Sequence, residues 1–496
     1  MLRVVVSALK IKSNKLNIVR IETLGCRLNQ IESEAAGRIF ADSGFDVFME
    51  GITASSEGDK HTKLIIINTC AVTQKAEQKA RRLIRLVLKK FTDAAVLVTG
   101  CYAQLSREQI EKLDERVFVL GGQIKSRLSL VPDLLKSFLS QDGLFDCKGF
   151  IASVKAKVVS LPVQKIDFPE DSFKLSTTSL LAHSRASLKI QDGCNNNCAY
   201  CTIHIARGHS VSLDVNTALE RVLALEKAGY DEVVLTTINI AQYKGKLVQG
   251  SLEECKSEVW LDFTGLLEYL LMHTTKINFR ISSLYPEVVT DEFCRIICDT
   301  RVRPHFHISV QSGSNKILKL MNRRYGREEV IEACRKIRAS RPESFIACDI
   351  ITGFPGEADE DFEQTLGLCR ECAFAWIHAF PFSERPGTPA CTMKPKVPQS
   401  VSGKRARLLT ELAVKNKLEY INSFAGKEVS AVVEKMSARH ADGTLFYHCM
   451  TENFIHCELE ANKELEPNQA VMVRIIAAMP DRIKKGGDIE ASAKII

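Results

Sequence analysis

Residues 186–201 read ASLKIQDGCNNNCAYC. The first five residues have the apolar weighting of a strand, and the strand runs directly into a loop with cysteines at 194, 198 and 201. Three thiolates in one short loop can bind three irons of a [4Fe–4S] cluster, which leaves the fourth iron open to a small molecule. Structural zinc is the alternative reading. It asks for four ligands, and His204 is close in sequence, but zinc motifs usually show two separated pairs and no second pair follows.

Downstream of the loop, strand-like text recurs at 232–235, 277–281, 305–310, 347–351 and 375–380. Helical text separates several of these runs, as at 216–227 and 327–340. Strands joined by helical crossovers predict a parallel sheet that is partly or fully closed into a barrel. Upstream, residues 17–125 repeat the β-α alternation, with strands expected at 16–21, 64–68, 95–99 and 117–120. Three of these strands run out at a cysteine, Cys26, Cys70 and Cys101. The carboxyl ends of parallel strands face one side, so the three thiols can converge at one edge. Residues 126–180 are mixed and turn-rich and are expected to form a linker with a little structure of its own. A helix is expected over 400–422, with Arg405, Arg407, Lys415 and Lys417 at its polar positions. Beyond Gly426, short strands at 427–434, 444–450, 456–459 and 470–476 predict a small all-β module. The expected fold is therefore α/β: an N-terminal parallel α/β domain (17–125), the linker, a partial (β/α) barrel (181–422) and an all-β domain (425–496).

A net charge of +7 over 496 residues permits a nucleic-acid partner without demanding one. The local run KAEQKARRLIRLVLKK at 75–90 reads as a basic helix. Seventeen cysteines, odd in number and irregular in spacing, do not form a disulfide framework in a long chain without an export signal. Cys334, Cys348 and Cys369 are expected as small buried hydrophobes. The first twenty residues lack the pattern of a signal peptide, and no apolar stretch reaches the ~18 residues of a membrane span. A soluble, cytoplasmic protein without a membrane partner is expected.

The loop Cys194-x3-Cys198-x2-Cys201, with Tyr200 before its last cysteine, resembles the signature of radical S-adenosylmethionine (SAM) enzymes. The rest of the chain is similar to the methylthiotransferase family within them. The similarity is carried by Thr23-Leu24-Gly25-Cys26-Arg27-Leu28-Asn29-Gln30, Asn68-Thr69-Cys70, Thr99-Gly100-Cys101, Ala206-Arg207-Gly208, Gln311-Ser312-Gly313-Ser314, Met321-Asn322-Arg323-Arg324-Tyr325 and residues 349–357 and 382–389. The resemblance implies a partial radical SAM barrel and a small C-terminal TRAM module. It implies two [4Fe–4S] clusters, one on Cys194, Cys198 and Cys201 and a second on Cys26, Cys70 and Cys101. It further implies two SAM molecules, one donating methyl to sulfur and the other giving the radical that opens a C–H bond. Tyr200, Thr237, Asn239, Ser283 and Gln311 are the candidate SAM contacts, with Thr237 standing where the family usually has Gly.

The segment Thr23–Gln30 with Glu32-Ser33 is most similar to the branch acting on N6-threonylcarbamoyladenosine at position 37 of tRNA. The implied partners are the tRNA anticodon loop, a low-potential electron donor of the flavodoxin or ferredoxin type, and a sulfur donor. Lys79, Arg81, Arg82, Arg85 and the stretch 404–407 are the basic candidates for RNA contact. The C-terminal module has nine Lys or Arg against eleven Asp or Glu, so a basic patch is not visible in its composition and would require folding to segregate charge onto one face. The same enzyme class acting on isopentenyladenosine or on a ribosomal-protein aspartate is the nearest alternative. A non-catalytic, zinc-containing RNA-binding protein is the alternative from another class.

Overall fold

The run TKLIIINT is buried at all eight positions, as the centre of a sheet covered on both faces must be. The computed structural model describes residues 17–139, 144–161, 172–178, 180–181, 185–249, 257–440 and 443–496. They divide into two compact units. The first takes the described residues up to 181 with Ser187–Asn196 and Cys201–Leu213, and the second takes residues 185–186, Asn197–Tyr200 and Asp214–Ile496.

In the first unit, β1 (Ile18–Thr23), β2 (Asp46–Phe48), β3 (Thr62–Thr69), β4 (Ala95–Gly100) and β5 (Val117–Val119) form a parallel sheet in the order β2-β1-β3-β4-β5. Alternate residues serve two cores. Leu64, Ile66 and Leu97 pack on one face with Phe40, while Ile65, Ile67 and Val98 pack on the other with Ile84 and Val87. The helices α1 (Arg27–Asp42), α2 (Gln74–Lys90) and α3 (Cys101–Leu105) follow β1, β3 and β4. The hydroxyl of Thr73 caps α2 by accepting the Ala76 N–H at 3.1 Å. The apolar stripe of α2 is buried, and Lys79, Arg82, Arg85 and Lys89 stay exposed.

The expected linker is different in its described part. Gly122–Leu130, Val131–Ser137, Cys147–Val154 and Lys155–Val159 are helical. Leu128, Val131, Leu135, Phe150, Ile151 and Val154 belong to the same core as Val19 and Leu64. The helices are too short to show a clear period in sequence, so their single apolar face reads as mixed text. Much of the turn-rich segment that suggested a linker, 162–171, lies outside the described residues.

β6 (Ala186–Lys189) leads into the cysteine loop, and β7 (Gln191–Asp192) pairs antiparallel with β8 (Val211–Ser212) within the first unit. In the second unit β9 (Glu232–Thr236) is followed by a hairpin, β10 (Gly245–Gln249) with β11 (Ser257–Leu261), and then by β12 (Asn278–Ile281), which runs parallel to β9. β13 (Ser283–Leu284), β14 (His305–Gln311), β15 (Phe345–Thr352) and β16 (Trp376–Pro381) form a parallel sheet in that order. The chain ends in β17 (Glu428–Arg439), β18 (Leu445–Thr451), β19 (His456–Ala461), β20 (Ala470–Ala478) and β21 (Ala491–Ile495), which close into a barrel. Closure removes the free edges that a five-stranded sheet would expose.

The helix Gln399–Asn422 corrects two readings. Arg405 and Lys417 are buried, not solvent-facing. Arg405 bonds Glu357 and, at 2.7 Å, Asp359, while Lys417 bonds Glu490 and stands 4.2 Å from the Trp376 ring centre. Arg405 is thereby engaged in holding the helix and is not free to meet RNA; Lys404 and Arg407 remain exposed. Cys334, Cys348 and Cys369 are buried as expected.

Candidate active site

Adjacent strand ends bring the first set of thiols together. Thr23 lies opposite Asn68, and Thr69 opposite Gly100, so Cys70 and Cys101 follow neighbouring strands directly and Cys26 follows the third after a two-residue turn. Two glycines permit the approach. A Cβ on Gly25 would stand 2.4 Å from the Cys70 Cβ, and one on Gly100 would stand 2.2 Å from the Thr69 carbonyl oxygen. Both residues have positive φ, at 121° and 97°.

Polar side chains lock the three turns. Asn29 Nδ2 donates to the carbonyls of Leu24 (3.0 Å) and Thr69 (3.1 Å). Asn68 Nδ2 donates to the Asn29 carbonyl (2.9 Å) and to Ser33 Oγ (3.1 Å), and Thr69 Oγ1 donates to the Thr99 carbonyl (2.6 Å). The Asn and Thr of the quoted motifs therefore bind the loops rather than a ligand. Burial, followed by the neighbouring Cys26 and Cys101, pushes the Cys70 thiol up to about 12. Thiols that oppose one another's ionisation suit a cationic metal group, which binds them deprotonated. Among the described residues no three such side chains stand close enough to share a single metal ion, whereas each thiolate of a polynuclear cluster sits on its own iron.

The second set of thiols lies in one loop. Gly193, at φ 69°, turns so tightly that a Cβ would stand 1.9 Å from the His209 carbonyl oxygen. Cys194 N donates to the Gly208 carbonyl (3.1 Å), and the Asn195 side chain accepts the Ser210 N–H (2.9 Å). The Cys194 and Cys201 sulfurs each accept a backbone N–H, from Asn196 at 3.4 Å and Ile203 at 3.5 Å.

An ion network missed in the sequence underlies both sets within the first unit. Arg207 bonds Asp192 at 2.8 Å, Glu32 at 3.3 Å and Asn29 Oδ1 at 3.0 Å. Lys189 bonds Glu32 at 3.1 Å and Asp192 at 3.0 Å, and Lys125 also bonds Glu32. Burial alone would raise the Glu32 carboxyl, but Lys125, Arg207 and Lys189 hold it well below its usual range. The sequence showed Asn29, Glu32 and Arg207 only within separate motifs, and nothing there paired them.

In the second unit, Arg323 stands beside Cys198, with Nη1 3.4 Å from the sulfur and 3.3 Å from the Tyr285 hydroxyl. Its guanidinium lies between the rings of Tyr285 (5.1 Å) and Tyr325 (5.2 Å). Ala199 is held from two sides by backbone bonds, to Met321 at 3.0 Å and from Ala390 at 2.8 Å. Tyr200 packs edge-on to Phe354 at 6.4 Å. Thr237 Oγ1 is 3.4 Å from Ser282 Oγ, and Asn239 accepts the Ala241 N–H at 3.2 Å. Gln311 adopts φ 70°, a conformation that costs a non-glycine residue about 1–3 kcal/mol and is common at functional sites. Ser283 differs from the other expected SAM contacts, because its hydroxyl is 2.9 Å from His307 Nδ1.

Residues 188–369 match the Radical SAM superfamily, and residues 18–121 match an uncharacterized protein family, UPF0004. The threonylcarbamoyladenosine tRNA methylthiotransferase MtaB of Treponema pallidum (strain Nichols) is 43% identical over 477 residues, which cover 88% of this chain and 93% of that one. This chain belongs to the radical SAM methylthiotransferases. The methylthiotransferase of the same name from Aquifex aeolicus (strain VF5) is 32% identical over 90% of this chain and 98% of that one. Among solved structures, the radical S-adenosylmethionine methyltransferase TsrM from Kitasatospora setae is similar at a TM-score of 0.49 and 12% identity, over 76% of this chain and 77% of that chain. This methylthiotransferase is a radical SAM enzyme that uses SAM and [4Fe–4S] clusters. No helix among its described residues is long and apolar enough to cross a membrane.

Proposed function

We propose that the protein methylthiolates N6-threonylcarbamoyladenosine at position 37 of tRNA, replacing the C2 hydrogen of the base with a methylthio group. The observation that carries this reading is the 43% identity, over nearly the full length of both chains, to a relative named for that substrate. Cys194, Cys198 and Cys201 hold one [4Fe–4S] cluster and Cys26, Cys70 and Cys101 hold a second. When bound, the first supplies the electron that cleaves SAM to a radical, and the second supplies a site for the sulfur that receives methyl.

The residues of the chain bind and orient. Tyr200 presents its ring to the SAM adenine, and Thr237, Asn239 and Gln311 supply polar contacts at the strand ends. Arg323 places a fixed positive charge 3.4 Å from the Cys198 sulfur. Glycine and asparagine packing at the β1, β3 and β4 ends sets the spacing of the second thiol set. A low-potential flavodoxin or ferredoxin supplies the electron and a separate donor supplies sulfur, both in the cytoplasm. The exposed Lys79, Arg82 and Arg85 of α2 meet tRNA phosphates.

Mass spectrometry of nucleosides from total tRNA, with and without the gene, tests the proposal. Loss of 2-methylthio-N6-threonylcarbamoyladenosine with accumulation of its unmethylthiolated precursor is expected. An unchanged nucleoside would overturn the substrate and direct the search to isopentenyladenosine and ribosomal protein.

A further inference from the structure

One face of the β13–β16 sheet is apolar and packed. Phe306, Ile308, Cys348, Ile350 and Ile377 are all buried there. The opposite face is polar at matched positions of successive strands. Ser283 pairs in register with His307, and Asp349 with His378. Ser283 Oγ lies 2.9 Å from His307 Nδ1, and His307 Nε2 lies 3.2 Å from Asp349 Oδ1. Trp376 Nε1 donates to His378 Nδ1 at 3.3 Å. Ser283 and His378 lie on the exposed edge strands, and His307 and Asp349 on the two strands between them.

The face is covered at the amino end of β14 and reaches toward Cys198 at the other. At the amino ends of the strands, Glu232 is clamped by Arg280 (2.7 Å) and Arg303 (3.1 Å), and the His305 ring lies 4.0 Å from that of Phe454. Toward the carboxyl ends stands Arg323, which touches Cys198 and lies close enough to Asp349 to stabilise its carboxylate. The Ser283 group sits between the two, and Ser283, His307, Asp349 and His378 all remain partly or fully accessible.

The hydrogen-bond directions follow from the charges. Burial opposes ionisation of Asp349, but the His307 hydrogen bond, helped by the Arg323 charge, holds it below its usual range. An ionised Asp349 takes the Nε2 proton side of His307, and His307 Nδ1 then accepts the Ser283 O–H. His378, held down to about 4 by burial and by His307, is neutral; with Nδ1 accepting from Trp376, its Nε2–H is a free-standing donor. The face therefore offers a carboxylate acceptor, of whose roughly four lone-pair sites His307 takes one, beside an imidazole donor. That array matches a urea, which has N–H donors next to a carbonyl acceptor. A dimethylallyl substituent has neither a carbonyl nor a second N–H and would leave the array unsatisfied.

We propose that Ser283, His307, Asp349 and His378 form the specificity-determining floor of the substrate site, with Asp349 accepting from the urea N–H groups of the N6-threonylcarbamoyl substituent and His378 donating to its carbonyl. Ser283 and His307 are positioning residues that fix Asp349. Like charge turns the carboxylate of the substituent away from Asp349. This inference rests on the threonylcarbamoyladenosine reading.

The test measures Kd for two anticodon stem-loops, identical except for N6-threonylcarbamoyladenosine or N6-dimethylallyladenosine at position 37, on the cluster-loaded, SAM-bound enzyme. The ratio of the two is independent of how much of a variant is folded. The wild type is expected to prefer the threonylcarbamoyl loop by about tenfold or more, and Asp349→Asn and His378→Ala each to reduce that preference at least about fivefold. A preference unchanged in both variants would overturn the floor. Failure of the underlying substrate reading is seen separately, as a wild-type enzyme that forms no methylthio product on the threonylcarbamoyl tRNA.

Discussion

The two cysteine sets each supply three thiols, by opposite routes. Cys194, Cys198 and Cys201 come from one loop, shaped by the tight Gly193 turn and by a few backbone bonds, two of them joining Ala199 to Met321 and Ala390. Cys26, Cys70 and Cys101 come from three strand ends, and their spacing depends on the register of the whole sheet and on Asn29, Asn68 and Thr69 stitching the turns together. A loop set is local and tolerant of its surroundings, whereas a strand-end set is only as good as the domain beneath it. Glu32 and Arg207 are the exception to this separation, because their network reaches Asn29 on one side and Asp192 on the other.

The largest effect is therefore expected at Glu32. Glu32→Gln takes the carboxylate from Lys125 and leaves Lys189 and Arg207 with Asp192, and should destabilise the chain by about 3–5 kcal/mol in thermal unfolding. The pH dependence has a definite sign. Glu32 has a folded pKa depressed below the ordinary 4.5, so its contribution is present above about 4.5 and is lost as pH falls below it. Acid unfolding of the wild type should show this loss, and the variant should lack it. A variant as stable as the wild type would mean that the two sets share no common support.

A smaller, separable effect is expected from the glycines. Gly100→Ala should cost about 1–3 kcal/mol and lower iron loading of the strand-end set, leaving reductive SAM cleavage in place. Gly193→Ala should reverse the pattern, with SAM cleavage lost first. Iron analysis and 5′-deoxyadenosine assays on the same preparations check both; identical losses in the two variants would break the distinction.

The two routes also differ in how much of them the sequence discloses. The loop cysteines are read from spacing alone. The strand-end cysteines emerge only because Leu64–Ile67 and Ala95–Val98 are continuous apolar runs, which mark buried parallel strands whose ends share a side. What stays hidden is pairing across long sequence distance. Arg405 and Lys417 look like surface cations until the structure gives them Glu357, Asp359 and Glu490. The partners of Arg207 and the links of the Ser283–His307–Asp349 chain are likewise invisible, since each partner lies on a different strand or loop. The helices between residues 122 and 159 stayed unread for a related reason: they are short and hide an apolar face in mixed text.

The smallest effect is expected on the tRNA side. Arg82→Ala and Arg85→Ala should each weaken tRNA binding a few-fold and lower the salt slope of log Kd by about one, with SAM cleavage in the absence of tRNA unaltered. Salt titrations by fluorescence anisotropy read this directly, and an unchanged slope would remove α2 from the RNA surface.

The division of labour between the two cysteine sets is tested most directly by iron content and product analysis of the Cys26→Ala, Cys70→Ala, Cys101→Ala triple variant after reconstitution. The account predicts that iron falls from about eight to about four per chain. It also predicts that SAM is still cleaved to 5′-deoxyadenosine and that no methylthio nucleoside forms. A variant that keeps about eight irons, or that still methylthiolates tRNA, would contradict it.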